Sequence, residues 1–466
     1  DPFAAGLSHA MSHVAVIDIG KTNAKLALVH RDTLDEVAVA TRPNTIIDRP
    51  PWPHFDVEGH WAFLLERLAA FHASHGINAI SLTTHGASAA LIGDGADLAA
   101  PILDYEHEGP DTQADSYEAI RPSFEETGSP RLPMGLNLGA QLHWQFSIDP
   151  TLRARTRAIV TYPQYWGYRL TGELACDMSS LGCHTDLWNP FEARFSSLVD
   201  GLGIGDKVAP ARKSADILGT LRPEIAARTG LASDTPVHSG IHDSNASLLP
   251  HLIRQGPPFS VVSTGTWVIA MTVGGAHPSL DPTRDALMNV NAFGDAVPSA
   301  RFMGGREYEE ALGRAPAPFH MADMVEVARD GPWLLPALVS DSGPFQGRTT
   351  RWVDQEPLPG TPARTVAVGF YLALMSAECL TLTSHQGPII VEGPFAANAS
   401  FCTMLAAATG CAVEAAKGIT GTSQGAALLA LGSGVPPETR PPQRYAPDML
   451  TGALAYASKW RELVLL

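Results

Sequence analysis

From Val14 to Val29 the chain reads VAVIDIGKTNAKLALV, apolar on either side of a polar centre. Val14, Val16 and Ile17 are β-formers, Asp18 breaks the run, and Leu26, Ala27, Leu28 and Val29 resume it. The pattern predicts two adjacent strands joined by a tight polar turn. Val37 to Arg42 continues as a third strand, followed by a Pro-rich loop from Pro43 to Pro53. Trp61 to His75 has helical spacing, with Phe63, Leu64, Leu68 and Phe71 on its apolar side. Ile77 to Thr83 is a short β-like run that ends at Thr84, His85 and Gly86. Three strands, a helix and a returning strand outline a βββαβα half-domain. Sheets of this kind place ligands where strand ends meet polar turns.

Further along, PILDYEHE from Pro101 to Glu108 ends an apolar run in carboxylates, and Asn137 to Phe146 begins a helix. Thr161 to Glu173 is helical until Gly172, which has the character of a C-terminal cap. Leu231 to Ser247 predicts a strand, a Gly-containing turn and a helix start, and HLIRQGPP at 251 to 258 predicts a boundary. Val261 to Met271, VVSTGTWVIAM, repeats the opening pattern: Val261 and Val262 fall on Val16 and Ile17, Ser263 on Asp18, Gly265 on Gly20 and Thr266 on Lys21. Taken by itself the match is short. Arg364 to Leu382 predicts a long apolar helix, and Pro388 to Val391 a strand. Next come a Gly-Pro turn and a helix to about Thr409, a Gly-rich helix start within Gly418 to Gly432, and a Pro-rich surface strap from Pro436 to Pro447.

A chain of 466 residues exceeds one ordinary core, so two or three domains are expected. The hydrophobic share of 45% and charged share of 17% describe a globular protein. A formal net charge of -16 argues against nucleic-acid and anionic-membrane partners, although a local set of donors still suffices for phosphates. Five cysteines without a CxxC pair fit reduced thiols and a cytoplasmic protein. No apolar run reaches the ~18 residues of a membrane span. The opening DPFAAGLSHA, before Met11, reads as a leader outside the fold.

The polar turns carry candidate chemistry. Gly20 frees the backbone and lets a ligand approach, Thr22 and Asn23 supply donors, Lys21 and Lys25 supply charge, and Asp18 can hold a hydrated metal. That set suits a metal-bound polyphosphate; it equally suits a hairpin tip of turn formers. Only the first of the two similar turns has a carboxylate, which makes sense if both hold phosphates and one also holds the metal. His238 and His242 have His-x₃-His spacing, but the intervening Ser239-Gly240 turn predicts diverging rings. A dinucleotide-dependent dehydrogenase would need GxGxxG after the first strand, and Ile17 to Lys25 has a single Gly.

In order along the chain, DIGKTNAK, YRLTGE, VHSGIHDSNAS, STGTWV and VEGPFAANASF resemble the motifs of the FGGY family of carbohydrate kinases, and the resemblance runs from about Val14 to Gly432. It implies an α/β fold of two actin-like, ribonuclease-H-like domains with a cleft between them. Residues 12–252 would be the N-terminal domain, residues 258–440 the C-terminal domain, and residues 1–11 a leader. The implied activity is phosphorylation of a sugar or polyol from ATP with Mg²⁺. Asp243 is then the general base and Asp18 the metal carboxylate. Gly20, Lys21, Thr22, Asn23, Thr264, Gly265 and Thr266 are expected at the phosphates, Gly393 and Asn398 at the adenosine, and Gly305 lining the nucleotide site. His85, Asp104, Glu106 and Asn137, with Asp243, are expected to meet the sugar. Gln141 and Gln164 stand where many members have Lys, and Pro394 where a second Gly is frequent. The favoured acceptor is a pentulose or 6-deoxyhexulose, with a glycerol- or erythritol-type polyol second and a non-catalytic nucleotide and sugar sensor as the different-class alternative. The oligomeric state stays open, a homodimer included.

Overall fold

A computed structural model describes residues 13–416, 421–432 and 440–466. The expected leader lies outside the described residues, as do 417–420 and 433–439, which the last two sequence segments overlap. The chain divides into two compact units after Arg254. The first contains residues 13–254 with Val290–Ala296 and 421–432, and the second contains most of the remainder.

The first unit is built on a seven-stranded sheet. Strand His13–Ile19 pairs antiparallel with Asn23–His30, which pairs antiparallel with Glu36–Pro43. On its other side His13–Ile19 runs parallel to Ala79–Thr84, which runs parallel to Ile241–His242. Both faces of the central strands are buried, which explains their unbroken apolar runs. Ala15, Ile17, Ile19, Leu26 and Leu28 pack with Leu64, Leu65 and Leu68 of helix Val57–His75 and with Trp166. Val14, Val16, Ala27 and Val29 pack on the other face with Ala246, Leu249 and Ala426. Helix Val57–His75 starts four residues before the apolar spacing suggests, because the Asp56 side chain accepts from Gly59 N and caps it. Helix Tyr162–Thr171 stops at Gly172, which takes the left-handed conformation at φ 85°.

The second unit repeats the plan. Strand Phe259–Thr264 pairs antiparallel with Val268–Val273 and parallel with Ile389–Glu392, as His13–Ile19 does with its two neighbours. The short match between the two turns is thus accompanied by a matching strand topology. Helix Pro362–Leu382 is long and apolar enough to cross a membrane by composition, contrary to expectation, and 83% of its most apolar window is buried inside the protein. Part of the expected surface strap is also ordered differently: Gln443–Tyr445 forms the edge strand against Val413–Ala415.

Candidate active site

In the first unit three parallel strands stop at one level. Ile19 pairs with Thr84 and Thr84 with His242, so the next residues, Gly20, His85 and Asp243, emerge together at the strand ends. His85 N donates to Ile19 O at 2.9 Å, which locks the first two together. Asp243 opens helix Asp243–Arg254, where the positive end of the helix favours a carboxylate.

The first turn is fixed by a residue the sequence did not mark. Asn44 N donates to Thr22 O, and Asn44 Nδ2 donates to Gly20 O, both at 2.9 Å. Asn44 Oδ1 lies 2.8 Å from His60 Nε2, and His60 Nδ1 lies 2.9 Å from Arg42 Nη1. The guanidinium is a donor only, so Nδ1 accepts and His60 is neutral. Burial, reinforced by the Arg42 charge, holds its pKa down at about 4. Gly20 does not have a positive φ, so the conformational reason expected for it does not apply. What it provides is room: a Cβ there would meet nothing nearer than Asn23 O at 3.5 Å. Thr22 and Asn23 are exposed at the turn.

Asp18 Oδ2 accepts from Thr422 Oγ1 at 2.7 Å and Ser423 Oγ at 2.9 Å, while Oδ1 has no protein partner among the described residues. Burial raises its pKa against these hydroxyls and Lys25, and the nearby Asp243 carboxylate adds to the rise. A half-buried carboxylate with one open oxygen, next to a second carboxylate, fits a Mg²⁺ ion that keeps most of its waters. Among the described residues no group of three or more His, Cys, Asp or Glu could hold a metal by itself. His238 turns away, with Nδ1 3.0 Å from Ala215 O.

Lys21, expected at the phosphates, is instead ion-paired to Asp104 and lies 3.3 Å from Glu106 Oε2. Its ammonium also sits 4.6 Å from the centre of the Tyr105 ring. The structure thus groups Lys21 with the expected sugar residues. His85 joins them, its ring centroid 5.1 Å from Tyr105 and Phe55 and 5.0 Å from Tyr162. Its Nδ1 lies 2.8 Å from Gly86 O, so Nδ1 carries the proton. Its Nε2 is buried without a hydrogen-bond partner among the described residues. Burial brings the ring's pKa down to about 4, so Nε2 is a lone-pair acceptor at neutral pH. Asn137 differs from expectation. It is fully buried, and its amide is taken up by Pro130 O, Leu132 N and Asp186 Oδ1. That bonding makes it a brace for the loop before helix Leu138–Ile148. Gln141 and Gln164 brace the site too, donating to Ala87 O at 2.6 Å and Ser239 O at 2.7 Å.

The second unit carries a cavity of about 1140 Å³ lined by Gly265, Thr266, Gly305, Tyr308, Phe319, Phe395 and Asn398 among others. Gly265 leaves open space where a Cβ would go, its nearest neighbour being Trp267 O at 3.9 Å. Gly305 and Gly393 are glycines for another reason. A Cβ at Gly305 would run into Gly265 O, and one at Gly393, which has φ +84°, would run into Thr264 O. Close approach at Gly393 is therefore to protein backbone. Thr264 differs from expectation as well: its hydroxyl donates to Glu392 O at 2.6 Å and accepts from Phe395 N at 3.0 Å. It staples the Gly393 turn and has no hydrogen left for a phosphate oxygen. Asn398 Oδ1 caps helix Ala399–Thr409 by accepting from Phe401 N, leaving Nδ2 as its remaining donor. The aromatic wall of Tyr308 and Phe395, ring centroids 5.2 Å apart, was not legible as a site because aromatic residues at such spacing also make ordinary core.

Comparison with known proteins agrees with this layout. Residues 13–250 match the N-terminal domain model of the FGGY family of carbohydrate kinases, and residues 256–439 match a carbohydrate kinase FGGY C-terminal domain model. The crystal structure of a carbohydrate kinase from Novosphingobium aromaticivorans superposes with TM-score 0.89 at 35% identity, covering 97% of this chain and 100% of that one. A ligand-bound xylulose kinase from Lactobacillus acidophilus shares the fold at 16% identity, TM-score 0.75, covering 98% and 96%. The L-xylulose/3-keto-L-gulonate kinase of Escherichia coli (strain K12) is 29% identical over 147 residues, a stretch spanning 29% of each chain. Family models over both halves, a 35%-identical structure over nearly the full length and a shared two-domain actin-like α/β fold place this chain in the FGGY family of carbohydrate kinases.

Proposed function

We propose that the chain is an ATP-dependent kinase that phosphorylates a hydroxyl of a neutral ketose, a pentulose or 6-deoxyhexulose. Asp243 is the general base and Mg-ATP the donor. Phosphoryl transfer asks the protein mainly for positioning and charge stabilisation. The second unit's cavity accommodates the adenosine, and the turns at Gly20 and Gly265 offer room for phosphates. Asp18 would hold Mg²⁺, which supplies charge neutralisation at the phosphates. On the acceptor side, Asp243 orients the attacking hydroxyl and takes its proton.

The observation that carries this reading is that His85 and Asp243 follow adjacent parallel strand ends beside the first turn, whose Lys21 pairs with Asp104 and Glu106. Burial, with the Glu106, Asp243 and Asp104 charges, pushes the Tyr105 phenol up to about 12. A neutral His acceptor, a cation and carboxylates make a set of acceptors and donors suited to hydroxyls. Asp104, Glu106 and Asp243 outnumber Lys21 in charge, which favours a neutral sugar over a sugar acid.

ADP release measured across D- and L-xylulose, D- and L-ribulose, L-rhamnulose, L-fuculose, glycerol, erythritol and gluconate tests the proposal. A ketose should give the highest kcat/KM, at least about tenfold above gluconate, a gap of 1.4 kcal/mol. In that ketose, Asp243→Asn should keep the fold and lose at least ~10² in turnover. A preference for glycerol or erythritol would select the polyol reading. No turnover with any acceptor, together with thermal stabilisation by ATP, would select a sensor.

A further inference from the structure

We infer that His242 positions the Asp243 carboxylate, holding Oδ1 so that Oδ2 is the oxygen that accepts the substrate proton. The inference rests on the kinase reading for its chemistry and on geometry for the contact.

The three hydrogen-bond contacts that the described residues make to Asp243 all fall on one oxygen. His242 Nε2 lies 3.1 Å from Oδ1, Ser244 N donates to Oδ1 at 2.7 Å, and Ser244 Oγ lies 3.4 Å from it. Oδ2 has no protein partner among the described residues, and the Asp243 side chain is 30% exposed. A carboxylate held at one oxygen by groups from its own strand end cannot swing freely. The open oxygen then keeps one direction, which is what general-base catalysis requires of the base.

The imidazole is itself clamped. His242 is buried, and its backbone N–H donates to Ser179 Oγ at 3.0 Å. Ser179 Oγ donates in turn to the fully buried Asp177 at 2.7 Å, which also takes the hydroxyls of Ser180 and Ser214 at 2.7 Å. The Asn245 amide lies 3.3 Å from Nδ1. Gly86 leaves the space the ring occupies: a Cβ there would stand 3.0 Å from Nε2 and 3.1 Å from Cδ2. Burial opposes a charge on the ring, but the neighbouring Cys183 and Asp243 push the imidazole up to about 9. The Asn245 Nδ2 donor at Nδ1 leaves Nε2 as the nitrogen that carries the proton, and its bond to the Asp243 carboxylate is charge-assisted.

His242→Leu and His242→Gln separate positioning from packing, because Gln can replace the Nε2–H donor and Leu cannot. With the ketose that the unaltered enzyme turns over fastest, His242→Leu should lower kcat by at least about tenfold while KM for the sugar changes less than about threefold. His242→Gln should recover kcat to within about threefold of the unaltered enzyme. Equal losses in two folded variants, or an unchanged kcat in His242→Leu, would overturn the inference. A second measurement needs no turnover and requires only one of the two variants to fold. Nitrogen-15 NMR of the full chain, with the His242 signal assigned by its loss in His242→Gln or His242→Leu, should show the imidazole pKa falling in Asp243→Asn, because the variant removes one of the neighbouring charges that raise it. An unperturbed titration there would overturn the contact itself. Absence of turnover with every sugar would count against the kinase reading and leave the NMR result to decide the contact.

Discussion

Thr422 Oγ1 donates to Asp18 Oδ2 at 2.7 Å, joining positions 404 apart in sequence. Burial raises the pKa of Asp18, and the hydroxyls of Thr422 and Ser423 work against that rise. Thr422→Val keeps the shape and removes one of the two. Asp18 should then bind a proton more readily and Mg²⁺ less well. Losing a hydrogen bond to a charged group costs ~1.5–3 kcal/mol, so the Mg²⁺ concentration giving half-maximal ADP formation should rise about tenfold. An unchanged Mg²⁺ dependence would remove Asp18 from metal binding.

Gly20 and Gly265 have ordinary φ values and open space around the missing Cβ, and Gly393 has neither. Gly20→Ala and Gly265→Ala should therefore fold with stability within about 1 kcal/mol of the parent, since Ala also restricts the unfolded chain. Their KM for ATP should nonetheless rise by tenfold or more, ~1.4 kcal/mol, because a methyl would occupy room meant for a phosphate oxygen. Gly393→Ala is the contrast: positive φ and the Thr264 carbonyl make it a folding defect, read as a lower Tm. If Gly20→Ala bound ATP normally, the first turn would be a hairpin tip and no more.

The strands and the motif residues were legible because their signals are local. VAVIDIG and VVSTGT announce strands buried on both faces, and Asp18 and Asp243 lie inside short strings whose order along the chain is specific. Thr422 and Asn44 were not legible: a hydroxyl or amide that reaches another segment leaves no periodic trace. The resemblance put Lys21 at the phosphates, and nothing local at the turn chose between that ligand and a partner from another segment. Packing made that choice, with the Asp104 carboxylate and Tyr105 ring taking the ammonium. Nor could it separate glycines that leave room for a ligand from those pressed against backbone, which is the difference between Gly20 and Gly393.

His60 gives the fold an acid weakness. Its Nε2 meets Asn44 Oδ1 and its Nδ1 meets Arg42, so a second proton would put N–H against a guanidinium. The folded ring titrates near 4 and the unfolded ring near 6.5. Between those values the unfolded chain binds more protons, so stability falls as pH drops from about 6.5 toward 4. The buried, neutral His85 adds in the same direction. Unfolding midpoints at pH 7, 6 and 5 should decline. In His60→Gln the slope should flatten by up to about 1.4 kcal/mol per pH unit within that window. A slope unaffected by the substitution would mean that His60 does not carry the pH dependence.

Lys21 tests which ligand the first turn's charge serves. Its pairing with Asp104, whose side chain is 11% exposed, and its seat over Tyr105 put the ammonium among the acceptor-side residues. Lys21→Met keeps the aliphatic stem and removes the charge. The Asp104 carboxylate is then left without its cation, and the geometry it offers to sugar hydroxyls loosens. KM for the ketose should rise at least tenfold, ~1.4 kcal/mol, with KM for ATP changing less than about threefold. Asp104→Asn should show the same asymmetry, because it breaks the same pair from the other side. The opposite pattern, a raised KM for ATP alone in Lys21→Met, would return Lys21 to the phosphates and leave Asp104 and Glu106 as carboxylates of the loop with no part in choosing the sugar.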